Sequence, residues 1–128
     1  MKHQYHIVHS CIRVLNLEKS IKFYQEALGF EVARKRDFPE DKFTLVFLKD
    51  QKGDFELELT YNYDRQEPYL IGDGYSHLAV VVADLEGSYQ KHKEMGLKMG
   101  KMKKISKDSR GIYFIADPDG YEIEIIEQ

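Results

Sequence analysis

Two histidines and two pairs of glutamates stand at corresponding points of this chain. His9 is followed by Glu56 and Glu58 within the stretch Asp54–Asp64, and His77 by Glu122 and Glu124 within Tyr121–Ile125. In both stretches acid alternates with leucine or isoleucine, and an extended strand sends alternate side chains to opposite faces. Leu57 and Leu59 therefore pack on one side while Glu56, Glu58, Thr60 and Asn62 share the other. Two carboxylates on one face of a half-buried sheet are costly unless that face is open to water or holds a cation. The same parity puts Cys11 and Arg13 on the face of His9, and Ala79 and Val81 on the face of His77. Two imidazoles and two carboxylates converging about a pseudo-two-fold axis suit a divalent ion of the Zn, Ni, Co or Fe type better than Ca or Mg, which prefer oxygen throughout. Four protein ligands on an octahedral ion leave two positions for water or for two adjacent substrate oxygens. Parity alone does not choose between Glu56 and Glu58, or between Glu122 and Glu124.

Each of these residues also has a plainer reading. A single histidine near an N-terminus is usually exposed or hydrogen-bonded, and His3 and His6 are read that way. His9 and His77 would be too, taken singly; their recurrence at one position of a repeat, each with a matching strand glutamate, makes them ligand candidates. His92 reads as a packed or half-exposed helix residue, and Cys11 as a small buried apolar one. Seven lysines between Lys91 and Lys107 read first as a solvated face.

The elements that must position these side chains come from comparing the chain with itself. His9-Ser10-Cys11-Ile12-Arg13-Val14 answers to His77-Leu78-Ala79-Val80-Val81-Val82, Leu28-Gly29-Phe30 to Met95-Gly96-Leu97, and Glu56-Leu57-Glu58-Leu59 to Glu122-Ile123-Glu124-Ile125. Two homologous modules, 1–64 and 74–128, joined by a linker over 65–73, account for this. In each, a short strand ends at Val14 or Val82, and Asn16 or Asp84 caps a helix. Leu17, Ile21, Tyr24 and Leu28 form the apolar stripe of the first helix, Leu85, Tyr89 and His92 that of the second, with Gly29 and Gly96 as left-handed stops. Strands are expected near Glu31–Lys35, Phe43–Leu48 and Phe55–Tyr61, then near Lys98–Lys103, Gly111–Ala116 and Tyr121–Glu127. Asp117-Pro118-Asp119-Gly120 makes the last tight turn. The order is β-α-β-β-β, twice: an α+β fold of two tandem modules with open mixed sheets.

With 128 residues and 42% hydrophobic content the chain can bury a real core. A net charge of −3 argues against a nucleic-acid coat protein. No run approaches the roughly 18 apolar residues of a membrane span, and no leader is recognisable, so a cytoplasmic protein is expected. The single cysteine agrees with a reducing compartment.

His9–Val14, Leu17-Glu18-Lys19-Ser20-Ile21-Lys22-Phe23-Tyr24, Leu28-Gly29-Phe30, Leu57–Asn62, Ser76-His77-Leu78-Ala79 and Asp117–Glu124 together resemble the glyoxalase I family of the vicinal-oxygen-chelate superfamily, in its short bacterial form. The resemblance covers the whole chain. It implies a single glyoxalase-fold domain over 1–128 and a homodimer in which the first module of one chain faces the second of the other. It implies metal ligation by His9, Glu58, His77 and Glu124, with nickel or cobalt preferred and zinc compatible. It assigns Arg13 and Asn62 to the glutathione part of the substrate, and a basic residue among Lys101, Lys103, Lys104 and Lys107 to a substrate carboxylate. The implied substrate is the hemithioacetal of methylglyoxal with glutathione or another small thiol. Glu124 would move the proton, with Glu58 its counterpart across the metal; by residue type the two are symmetric. Methylmalonyl-CoA epimerases resemble the chain in fold but typically have glutamine where Glu58 stands. Extradiol dioxygenases and fosfomycin-modifying enzymes leave that position without a ligand, and metal-free binding or resistance proteins of this fold generally lack the histidines.

Overall fold

The computed structural model describes residues 2–104 and 110–128. It divides into two compact units, Met1–Tyr69 and Leu70–Gln128. Unit 1 runs β1 (His9–Arg13), α1 (Leu17–Leu28), β2 (Glu31–Phe38), β3 (Phe43–Lys49) and β4 (Glu56–Asn62). Unit 2 runs β5 (Leu78–Val82), α2 (Leu85–Glu94), β6 (Lys103–Lys104), β7 (Gly111–Ala116) and β8 (Glu122–Glu127). Each unit is βαβββ and carries one four-stranded mixed sheet, ordered β1-β4-β3-β2 in the first and β5-β8-β7-β6 in the second. In both, the opening strand lies parallel to the closing one, and the remaining pairs are antiparallel.

The helices begin and end where short polar side chains and glycine demand it. Asn16 accepts from the Lys19 amide at 3.0 Å and Asp84 from the Gly87 amide at 2.9 Å, each satisfying a first-turn N–H. Gly29, at φ 71°, turns the chain out of α1 in the left-handed region where a Cβ would be strained. The buried face of α1 is Ser20, Phe23, Tyr24 and Ala27, while Leu17, Ile21 and Leu28 are only half-buried. Of the expected stripe Leu17, Ile21, Tyr24 and Leu28, Tyr24 is buried as expected, and the buried face is rotated from the other three toward Phe23, Ser20 and Ala27. In α2 the expected stripe holds, with Leu85 and His92 buried and Tyr89 half-buried.

Alternation settles the closing strands. Leu57 and Leu59 in β4, and Ile123 and Ile125 in β8, are buried, joined by Val46, Leu48, Tyr113 and Ile115 from the neighbouring strands. The acids between them stay on the opposite face. Two strands differ from expectation. β2 extends to Phe38, its exposed edge studded with charge as an unpaired edge should be. The strand expected at Lys98–Lys103 is reduced to Lys103–Lys104 and a single bridge from Met99 to Ile115. Backbone bonds still tie Lys98 and Gly100 to β7 at 2.9 Å each.

Candidate functional site

In unit 1, β1 lies in register with β4 so that Cys11 faces Glu58 and Arg13 faces Thr60. His9, at the start of β1, leans along the sheet and brings Nε2 to 3.0 Å from Glu58 Oε1. Its ring stands edge-on to Phe47, centroids 5.6 Å apart, which limits its rotation. The histidine side chain keeps 39% of its surface open and the glutamate 12%. Glu56, the alternative two residues earlier, is engaged elsewhere. Arg34 of β2 meets its Oε2 at 2.6 Å and stacks over Phe47 at 3.9 Å. A cation-paired carboxylate is a poor candidate for a second cation, so the two acids of this face are separated by their neighbours.

Glu58 has a further partner, since Thr60 Oγ1 donates to its Oε2 at 3.2 Å. Cys11 Sγ lies 3.1 Å behind that hydroxyl. Cys11 is exposed, which corrects the expectation of a small buried residue: parity puts its side chain on the site face, away from the core. Partial desolvation, aided by the charge of Glu58 and opposed by the Thr60 hydrogen bond, holds its thiol above the usual range.

Unit 2 repeats the pair with different support. His77 stands one residue before β5, and its Nε2 lies 3.3 Å from Glu124 Oε1, with 34% and 17% of the two side chains open. Phe114 meets the ring edge-on at 5.4 Å, as Phe47 does in unit 1. Ser76 Oγ is 2.7 Å from His77 Nδ1, fixing the ring from its other nitrogen. Glu122 is exposed at the start of β8.

The other candidates scatter around these pairs. Arg13 is exposed at the end of β1 on the side of His9. Asn62 ends β4 and donates to the Tyr69 hydroxyl at 2.9 Å, while Arg65 ties the intervening loop to the carbonyls of Glu67 and Pro68. Lys101, Lys103 and Lys104 are exposed; Lys107 lies outside the described residues. His92 is not at the site: it is 1% exposed and its Nδ1 meets the Tyr113 hydroxyl at 2.8 Å. His3 and His6 are exposed. Sequence reasoning passed over Thr60, Ser76, Arg34 and Tyr69. For Thr60 and Ser76 the available signal was position, one on the acid face and one adjoining a candidate ligand.

Among the described residues no group of three or more His, Cys, Asp and Glu side chains gathers to hold a metal. Each unit supplies one nitrogen and one oxygen donor. Two donors bound at about 2.1 Å to one ion and about 90° apart lie about 3 Å from each other, so the separation in both pairs is that of adjacent ligands as well as of an N–H···O bond. The donor set fits a divalent ion of the borderline class.

Two βαβββ units that each place a histidine of the opening strand region against a glutamate of the closing strand define a class of protein. The chain belongs to the Glyoxalase/Bleomycin resistance protein/Dioxygenase superfamily, whose family pattern its residues 6–125 match. Within it, the chain is similar to lactoylglutathione lyases. It is 41% identical over 128 residues to that of Neisseria meningitidis serogroup A, covering 95% of this chain and 90% of the relative. The trypanothione-dependent glyoxalase I of Leishmania major superposes with a TM-score of 0.84 at 37% identity, covering 97% of this chain and 87% of that one. A point mutant of glyoxalase I from Zea mays superposes at 0.89 and 36% identity over 99% of this chain, which spans just under half (46%) of the maize chain.

Proposed function

We propose that this chain is a lactoylglutathione lyase, converting the hemithioacetal of methylglyoxal and glutathione to the S-D-lactoyl thioester in cytoplasmic methylglyoxal detoxification. One observation carries the reading: a histidine–glutamate pair at the same place of both units, in a chain 41% identical to a lactoylglutathione lyase over nearly its whole length. The residues that would hold a divalent ion, nickel or cobalt by preference and zinc as a compatible substitute, are His9 and Glu58 of one subunit with the partner subunit's His77 and the partner subunit's Glu124. When bound, such an ion supplies Lewis-acid stabilisation of the negative charge that develops on the substrate oxygens as a carbon-bound proton leaves.

The chain's own side chains do the rest. Glu124 takes the proton from the carbon bearing sulfur and returns it to the neighbouring carbon, while the hydroxyl proton of the first carbon passes to the oxygen of the second, so that the hydroxy-thioester forms without net gain or loss of atoms. Glu58 stays opposite as the second carboxylate. Arg13 offers a guanidinium to a glutathione carboxylate, and Asn62, oriented by Tyr69, offers amide hydrogen bonds to the peptide part of the thiol. Lys101, Lys103 and Lys104 are the exposed cations available to the remaining carboxylate.

Apo-protein loaded with Ni(II), Co(II) or Zn(II) and assayed by thioester absorbance with methylglyoxal plus glutathione, trypanothione or another small thiol tests this directly. Thioester formation with one thiol, restored by nickel or cobalt more than by zinc, is expected. Tight metal binding with no thioester from any thiol would instead favour epimerase-type chemistry on the same fold.

A further inference from the structure

The two half-sites are built from the same repeat, yet their supporting hydroxyls sit on different members. In unit 1 the hydroxyl is on the carboxylate: Thr60 gives its single proton to Glu58 Oε2 at 3.2 Å. Its oxygen, 3.1 Å from Cys11 Sγ, then accepts the thiol proton, whose other acceptor, the Ile12 carbonyl, is at 3.8 Å. Glu58 is thereby held at both oxygens, Oε1 by His9 and Oε2 by Thr60. In unit 2 the corresponding positions are Ala79 and Ile126, which have no proton to give. There the hydroxyl is on the histidine, Ser76 Oγ against His77 Nδ1 at 2.7 Å, where unit 1 has Val8. Among the described residues Glu124 is met by His77 and by no other side-chain donor.

Resting on the metal-centre reading above, we infer that Thr60 is a positioning residue that makes the two carboxylates unequal. Backed by Cys11, it holds Glu58 as the stationary ligand. Glu124, held at one oxygen, keeps the rotational freedom to turn between holding a cation and carrying a proton. Turning Glu58 would give up two contacts, to His9 and to Thr60, whereas turning Glu124 gives up one, to His77.

Ni(II) affinity, measured on the full chain by competition with a chromophoric chelator, provides a readout separate from turnover. T60V keeps the volume and removes the proton; T60S keeps the proton. Hydrogen-bonding partners of metal ligands contribute about 10–100-fold in affinity, so T60V should weaken Ni(II) binding by at least about tenfold while T60S stays within about twofold of the parent. Transplanting the support, as A79C with I126T, should lower kcat about tenfold at constant KM while Ni(II) affinity is kept or raised. The inference is overturned if T60V binds Ni(II) as tightly as the parent, or if T60S loses as much as T60V. It is equally overturned if the A79C/I126T chain keeps its full kcat. If T60V does not fold, T60S and the double variant decide. A parent chain that binds Ni(II) without turning over any hemithioacetal would remove the lyase reading and leave the T60V affinity comparison standing, so the two failures are distinct.

Discussion

Glutamate offers two oxygens and one exchangeable proton, and whether a given glutamate serves as ligand or base depends on what holds those oxygens. Glu124 is gripped once, by His77 at 3.3 Å. Glu124→Gln keeps a carbonyl oxygen for a cation but cannot take a proton, so kcat should fall by about 10²–10⁴-fold with the thermal unfolding midpoint little changed. Steady-state kinetics beside thermal unfolding checks this, and a variant with the parent's rate would mean the base is misassigned. At this scale the sequence was legible up to parity. Alternation told that Glu56 and Glu58 share a face, and the repeat told that His9 and His77 correspond. Parity left Glu56 and Glu58 open and only the family resemblance pointed to Glu58; the physical ground for it is Arg34 on Glu56, which arrives from a different strand. No spacing along the chain encodes that contact. Cys11 was misread for a related reason, because burial of a cysteine is a tendency of the residue type while its face is set by the strand.

The elements depend on a few local devices that can be tested singly. Asn16→Ala removes the side chain that accepts from the Lys19 amide, and should cost about 1 kcal/mol in urea unfolding. Tyr113→Phe reaches deeper. Its hydroxyl meets Ser88 at 2.6 Å and buried His92 at 2.8 Å, and removing it takes a hydrogen bond from both, in the case of His92 from a side chain with almost no access to water. The expected loss is about 1–3 kcal/mol, read from the same unfolding curves, and a loss below a few tenths would mean His92 finds another partner. Burial raises the Tyr113 hydroxyl above its ordinary range, the Ser88 hydrogen bond opposing, so it remains protonated at neutral pH and able to donate. Helix caps, glycine stops and closing strands were readable because each rests on residues within one turn or one strand. β6 was not readable at its proper length. Met99, Gly100 and Lys101 look like strand by their place in the repeat, but only backbone bonds to β7 at 98 and 100 and the two-residue ladder at 103–104 form.

On the scale of the whole molecule, each of the two units holds one histidine–glutamate pair, one nitrogen beside one carboxylate oxygen. Among the described residues no group of three or more His, Cys, Asp and Glu side chains gathers. In the proposed dimer each site is completed from two subunits related by a two-fold axis. His9→Ala and His77→Ala should each be inactive alone, because every site in either homodimer lacks one ligand. Mixed, unfolded and reassembled together at equal amounts, the two chains form mixed dimers about half the time, and one of the two sites in each mixed dimer retains all four ligands. Hemithioacetal turnover in the nickel-loaded mixture should therefore return to ~25% of the parent. A mixture as inactive as its components, in dimers shown by native mass spectrometry to have exchanged subunits, would contradict a shared four-ligand centre.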